Sequence, residues 1–358
     1  MPTTISLDRS RLHHVAALAE AIVASGDHAS AVIAVADRHE LLWQHVVSGR
    51  MTVTAASIFP IASITKPIIV TAIMQLVERG LLFIGDPVVT YLPEFGRNGK
   101  EGVTVRHLLT HTSGLAEDPA MARLVPMHER RAPRADYLAL ACDCGLERPP
   151  GERSVYRQLP FTVLAELIAR LGGRDYPIWL REEIFAPLGM VDTTFWPTDR
   201  TRLAQVPFYP DEPENAEEWA YVYDIAFPAH GLYSTAADRV AFGQALLGGG
   251  RRGMARILSS GAVAAMTTPQ PGLVADTDTG TRPVYSGLTW GMQSPYGNLL
   301  GSARGFGHAG GTGCWFWVDP DWDLVFVLLS NSDGPPQSLA MRLLNATYGA
   351  LSRTETDA

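Results

Sequence analysis

Ser63 and Lys66 stand three residues apart in the run Ser63-Ile64-Thr65-Lys66. A serine hydroxyl is a poor nucleophile at neutral pH. It needs a base within hydrogen-bond reach and donors for the oxyanion that forms when it attacks a carbonyl. If Ser63 opens a helix, residue 66 falls on the same face one turn on, and the free N–H groups of that helix end supply donors and a positive dipole. Pro67 agrees with this placement, because proline is tolerated in the first helical turn and so fixes the helix start near Ile64. Lys66 then continues into an apolar helix, where an uncharged or paired lysine is expected, and a depressed pKa suits a catalytic lysine.

The elements that must hold this pair follow from the hydrophobic pattern. A helix is predicted from about Leu7 to Ser25. Ala29 to Ala36 and Leu41 to Ser48 then read as a hairpin across the polar turn Asp37-Arg38-His39-Glu40. A short apolar run, Ile58 to Ala62, feeds a buried helix from Lys66 to Arg79, which carries Ile69, Ile73, Leu76 and Val77 at helical spacing and stops at Gly80. From Gly85 to about His230 helical segments dominate (Val105 to Leu109, Pro160 to Leu171, Tyr176 to Phe185). Ser234 to Leu247 is one more helix, opened by Thr235-Ala236-Ala237-Asp238 as a capping box. Strand patterns resume at Leu288 to Gln293, Gly305 to His308, Cys314 to Val318 and Leu324 to Leu329, and a helix from Ser338 to Leu351 closes the chain. The fold class is therefore α+β: one antiparallel sheet built from both chain ends, flanked by helices in an α/β sandwich. Residues 1–84 and 232–358 make the sheet domain and residues 85–231 a mainly helical insertion, with a cleft at the junction.

Four stretches give this chain a resemblance to a known family: Ile61-Ala62-Ser63-Ile64-Thr65-Lys66, His107-Leu108-Leu109-Thr110-His111-Thr112-Ser113-Gly114-Leu115, Pro187-Leu188-Gly189-Met190-Val191-Asp192-Thr193-Thr194-Phe195, and Gly231-Leu232-Tyr233-Ser234-Thr235-Ala236-Ala237-Asp238. In order and spacing they resemble the class C β-lactamase-like serine hydrolases, a group that includes penicillin-recognising peptidases and the family VIII carboxylesterases. The resemblance implies a β-lactamase/transpeptidase-like fold and an acyl-enzyme on Ser63. Its Tyr-x-Asn motif corresponds to Tyr156-Arg157-Gln158, so Tyr156 is implied as a base whose phenolate is stabilised by the Lys66 ammonium. Gln158 departs from asparagine. It keeps the amide on a longer stem and so reaches Lys66 or a substrate carbonyl only if its backbone stands back. The third motif corresponds to His308-Ala309-Gly310, with His308, Gln158 and Gly310 facing substrate. The backbone N–H groups of Ser63 and Gly311 are implied as the oxyanion hole. Consecutive glycines there let a substrate approach the strand. Histidine in place of lysine is mostly neutral at pH 7 and favours less anionic acyl groups, with Arg304 close enough in sequence to compensate.

Other patterns lead nowhere. Gly305-x-Gly307-x-x-Gly310 matches a dinucleotide fingerprint in letters but runs into a strand instead of opening a helix. His107 and His111 are four apart, yet no glutamate follows His107 and no third ligand is evident, so no metal is expected and they read as structural histidines at a helix end. Asp211 to Glu218, ahead of Trp219, Tyr221 and Tyr223, reads as a solvated loop, with a lid over the cleft as the alternative. The sequence contains no Gly-x-Ser-x-Gly elbow. With 358 residues, 18% charged, and a net charge of -8 without a basic run, nucleic acid and anionic membranes are not expected partners. The three cysteines, Cys142, Cys144 and Cys314, form no disulfide framework and read as reduced packing residues. The N-terminal residues lack a signal-peptide pattern, so a cytoplasmic location is expected.

The reading that results is a carboxylesterase acting on small esters, or a related amidase, without a cofactor. A β-lactamase or D-Ala peptidase ranks second, and an acyltransferase on the same site third. A non-catalytic binding module of the same fold is the alternative from another class, motivated by Gln158.

Overall fold

Alternation along two strands decides how the molecule is layered. In Ser30–Ala36, Ile33 and Val35 join one apolar cluster while Val32, Ala34 and Ala36 join another; in Leu324–Ser330, Phe326 and Leu328 divide from Val325, Val327 and Leu329 in the same way. Strands whose successive side chains leave opposite faces of a sheet, all of them apolar, require cover on both sides. The computed structural model of the chain, which describes residues 3–117, 127, 132–204, 225–278, 280–295, 297–331 and 337–355, supplies that cover.

In chain order the elements that matter here are β1 (Thr3–Leu7), α1 (His13–Ser25), β2 (Ser30–Ala36), β3 (Leu41–Ser48), β4 (Phe59–Pro60) and α2 (Thr65–Glu78). Next come α3 (Val105–Leu109), α4 (Leu159–Gly172), β5 (Tyr233–Ser234) and α5 (Ala236–Leu247). The last group is β6 (Gly291–Met292), β7 (Phe306–Ala309), β8 (Trp315–Asp319), β9 (Leu324–Ser330), α6 (Gln337–Tyr348) and β10 (Leu351–Glu355). The six-stranded sheet runs β6-β7-β8-β9-β2-β3, antiparallel throughout, with β9 against β2 joining the two ends of the chain. Helices α1 and α6 pack on one face and contribute Val15, Ala19, Leu343 and Leu344 to its cluster. Helices α2 and α5 lie on the other face, with α4 packed against α2 beyond them. Burying both faces of β2 and β9 this way is worth roughly 1.5–3 kcal/mol for each large side chain enclosed.

The structure corrects the sequence reading at the ends. Leu7 belongs to a strand, not to the first helix, which begins at His13 after a 3-10 turn (Arg9–Leu12) capped by Asp8. The closing helix stops at Tyr348, and Leu351–Glu355 pairs antiparallel with β1, Leu7 opposite Leu351. The apolar run Leu288 to Gln293 keeps only a two-residue edge strand. The run Tyr176 to Phe185 begins as the helix Tyr176–Leu180, passes through a π-turn at Arg181–Phe185, and ends at Gly189 with φ +71. The acidic stretch Asp211 to Glu218 and its aromatic neighbours lie outside the described residues.

Candidate active site

Strand β4 pairs with β5, and a 3-10 turn (Ala62–Ile64) then hands the chain to α2. Ala62 takes φ +45, a costly conformation for a residue with a Cβ. Threonine holds the turn: Thr65 Oγ1 donates to Ala62 O at 2.7 Å and accepts from Leu232 N at 3.2 Å. Ser63 therefore sits in the first helical turn, where amides have no intrahelical partner.

Lys66 is completely buried. Its Nζ lies 3.1 Å from Ser63 Oγ, 2.7 Å from Gln158 Oε1 and 3.0 Å from Ala229 O, with the Tyr156 ring centroid at 4.6 Å and that of Phe161 at 5.3 Å. Burial drives the lysine pKa well below its ordinary value, opposed by the charge of Glu117. A neutral amine has two hydrogens and one lone pair. Nζ is placed to donate to Ser63 Oγ, Gln158 Oε1 and Ala229 O; once neutral, it keeps donors for Gln158 and Ala229 and has its lone pair for the Ser63 hydroxyl.

Tyr156 precedes α4. The residue is 48% exposed, but its hydroxyl is surrounded by protein and hydrogen-bonded to Ser63. The environment of the oxygen governs its titration, and burial pushes the pKa above the usual tyrosine value. Burial of the oxygen thus works against the expected phenolate. Tyr156 is held as a phenol, and Lys66 is the group with its basic form favoured.

The turn carrying Tyr156 and Gln158 is seated on the His111 loop. His111, at φ +58, accepts from Arg157 N at Nδ1 (3.3 Å), receives Val155 N on its carbonyl (2.8 Å), and faces Tyr156 with ring centroids 4.7 Å apart. Since Nδ1 accepts, the ring proton is on Nε2, which meets Thr289 Oγ1 at 3.2 Å. His107 works at the other end of α3, where its Nδ1 accepts from Thr104 N and its own N–H donates to Thr104 Oγ1 in a capping box. It thus has a structural role at the N-terminal end of that helix.

On the opposite wall β7 brings His308 to within 6.2 Å of Tyr156, centroid to centroid. Its Nδ1 lies 2.7 Å from Ala309 O, and burial together with the nearby Lys66 lowers its pKa to about 4. Arg304 does not compensate: it points away into an ion pair with Asp321 at 2.8 Å. The role expected of Gly310 also changes. A Cβ there would come within 2.5 Å of Ile61 O, so the missing side chain serves the contact between this loop and the segment leading to Ser63, leaving no room for a substrate against that face. Thr312 Oγ1 donates to Pro60 O at 2.7 Å and fastens the same junction. Gly311 faces open space, and its N–H has no hydrogen-bond partner among the described residues.

Sequence reading missed Glu117. It is 4% exposed, and its carboxylate accepts from Gln158 N at 2.9 and 2.8 Å and from Leu159 N at 2.8 Å. Burial raises its pKa and the backbone donors work against the rise. The signal available was the acidic pair Glu117-Asp118 two residues past the Thr112-Ser113-Gly114-Leu115 stretch, with no motif to mark either as a site.

With this geometry in hand, comparison with known proteins is direct. The family model described as Beta-lactamase matches residues 15–350. Penicillin-binding protein 4 of Amycolatopsis lactamdurans is 28% identical over 354 residues, which span 95% of this chain and 87% of that protein. In fold, the chain resembles a penicillin-binding protein homologue from Caulobacter crescentus (TM-score 0.79, 22% identity, 98% of this chain and 100% of that one). It also resembles a family VIII carboxylesterase (TM-score 0.73, 19% identity, 98% and 100%).

Proposed function

Because the chain belongs to the beta-lactamase family, we propose that it is a serine hydrolase working through an acyl-enzyme on Ser63, with small uncharged esters as its substrates. The observation that carries this reading is the buried Lys66 Nζ at 3.1 Å from Ser63 Oγ, in a cage that favours the neutral amine. In the reaction, Ser63 Oγ attacks the ester carbonyl as its proton passes to Lys66 Nζ, and the carbonyl oxygen becomes an oxyanion between the N–H groups of Ser63 and Gly311. The new ammonium lies over the Tyr156 ring, which favours a cation. Collapse of the tetrahedral intermediate breaks the bond to the alkoxide, which takes a proton from the Tyr156 hydroxyl as the Lys66 ammonium gives its own proton directly to the tyrosine oxygen, the acylated Ser63 oxygen having none to relay. Water then repeats the sequence on the acyl-enzyme and frees the carboxylic acid and Ser63.

Ester over β-lactam or D-Ala peptide is favoured by the anion-binding wall. His308 is neutral near pH 7, Arg304 is engaged elsewhere, and neither offers the fixed cation that a carboxylated substrate requires. The sheet domain of residues 1–84 and 232–358, with 85–231 inserted, belongs to the same proposal. It is supported by the pairing of β9 with β2, which joins both chain ends in one sheet, and by Gln158, which brings the inserted segment to Lys66.

Hydrolysis of p-nitrophenyl acetate and butyrate by wild type and Ser63→Ala tests the reading, with fluorophosphonate labelling to locate the nucleophile. Activity in wild type alone is expected. Equal rates in both, or none in either, would sink it, and faster turnover of nitrocefin than of esters would move the substrate to β-lactams.

A further inference from the structure

Glu117 is a buried charge to which the reaction above assigns no step. Its two carboxylate oxygens take up the N–H groups of Gln158 and Leu159, which open α4 and have no partners within the helix. Gln158 is the N-cap residue of α4, and its side chain makes no capping hydrogen bond. Because Glu117 satisfies those amides, the Gln158 side chain is free to turn the other way, where Oε1 meets Lys66 Nζ at 2.7 Å. A glutamine exceeds an asparagine by one methylene, so its amide reaches the same lysine only from a backbone that stands farther off. The carboxylate of Glu117 holds the amides of residues 158 and 159 there, next to the contacts of His111 with residues 155 and 157.

We propose that Glu117 is a positioning residue for the catalytic base: through the backbone of residues 158 and 159 it sets the distance at which Gln158 meets Lys66, and its negative charge supports the ammonium formed when Lys66 takes the Ser63 proton. This rests on the acyl-enzyme reading above. The other titratable groups facing Lys66 are Tyr156 from the turn before α4, His111 from the loop after α3, and His308 from β7. Arg157, from that same turn, acts on Glu117 and also pairs with Glu147 at 2.8 Å. Among these, Glu117 is the one carboxylate acting on Lys66.

The test is the pH dependence of kcat and KM for p-nitrophenyl butyrate in wild type, Glu117→Gln, Gln158→Asn and Ser63→Ala. Glu117→Gln keeps an acceptor oxygen and the volume but removes the charge. Its kcat should fall about tenfold or more with KM nearly unchanged, and its acid limb should move to lower pH, because a lysine deprived of its counter-charge gives up its proton more readily. Gln158→Asn, on a backbone still clamped by Glu117, should fall short of Lys66 and lose kcat by a similar factor. A wild-type kcat in Glu117→Gln, or a lower kcat with the acid limb unmoved, would overturn the proposal. If Glu117→Gln does not fold, Gln158→Asn decides it: wild-type kcat there means the turn advances freely and Glu117 clamps nothing. Should Ser63→Ala match wild type, the acyl-enzyme reading itself fails, an outcome distinct from the others.

Discussion

Lys66 Nζ and Ser63 Oγ are 3.1 Å apart at a point where the lysine has no exposed surface. A base in that position has to give up its proton to work, which lysine does when buried and arginine does not. Lys66→Arg should therefore be as inactive as Lys66→Met, each losing about a thousandfold or more in kcat for ester hydrolysis while the protein still folds. A Lys66→Arg variant within tenfold of wild type would remove Lys66 as the base.

The same pair sets the pH profile. With Lys66 as the proposed base, kcat/KM should rise with pH through the Lys66 pKa, which burial has brought well below its usual value. Tyr156, its own pKa raised, adds no limb near neutrality. Tyr156→Phe should then lower kcat by roughly a hundredfold, through loss of the proton path, and leave the acid limb where it was. If the limb vanished with the hydroxyl, Tyr156 would be the base after all.

Substrate charge gives a third expectation. With His308 held neutral and Arg304 tied to Asp321, neither residue offers a fixed cation to an ester bearing a free carboxylate on its acyl side. Its kcat/KM near pH 7.5 should be at least about tenfold below that of the uncharged ester of equal length. Parity between mono-p-nitrophenyl succinate and p-nitrophenyl butyrate would count against the assigned specificity.

Features with a local cause were legible in the sequence. Pro67 fixes a helix start, Thr235 caps α5 by accepting from Asp238 N at 3.3 Å, and the uninterrupted apolar runs at β2 and β9 mark buried strands. The pairing of β1 with β10 was not legible, since it joins residues nearly the whole chain apart and each strand is only five residues long and rich in polar side chains. The helix end at Tyr348 was hidden for the same reason. In the site, Ser63, Lys66 and Gln158 could be assembled from motifs, but Glu117 lies 41 residues before the amide it holds. Protonation states also escaped: charge proximity alone argued for a lowered Tyr156 pKa, whereas enclosure of its oxygen, a property of the folded chain, prevails.

Enclosure also sets the acid stability. The pKa values of His111 and His308 are lowered in the folded state, that of His308 to about 4, against 6.5 for the free side chain. Between those values the unfolded chain binds more protons than the folded one, so stability rises with pH across the window and is lost as pH falls from 6.5 toward 4. Urea unfolding followed at several pH values should show this slope, and His308→Asn should flatten part of it. An unchanged slope in His308→Asn would mean that the ring is protonated in the folded protein.

Arg239 offers a gain in stability. It lies on α5 with no exposed surface, its guanidinium 4.9 Å from the Phe242 ring centroid and 5.6 Å from that of Phe316. Its Nε, Nη1 and Nη2 have no hydrogen-bond partner among the described residues, and burial draws its pKa down to about 10 despite the neighbouring Asp238. The aromatic faces return on the order of 2 kcal/mol for a desolvated cation, against a desolvation penalty of several kcal/mol for a charge of this size. Asp238 does not depend on Arg239 for its own contacts, since it accepts from Asp192 N at 2.9 Å and Thr193 Oγ1 at 2.8 Å. Methionine preserves most of the volume and none of the charge. Arg239→Met should therefore raise the unfolding free energy by about 1–3 kcal/mol, read as a higher urea midpoint at unchanged slope, with ester hydrolysis unaltered. A loss of stability instead would show that the guanidinium is hydrogen-bonded within the folded protein, to water or to a bound anion.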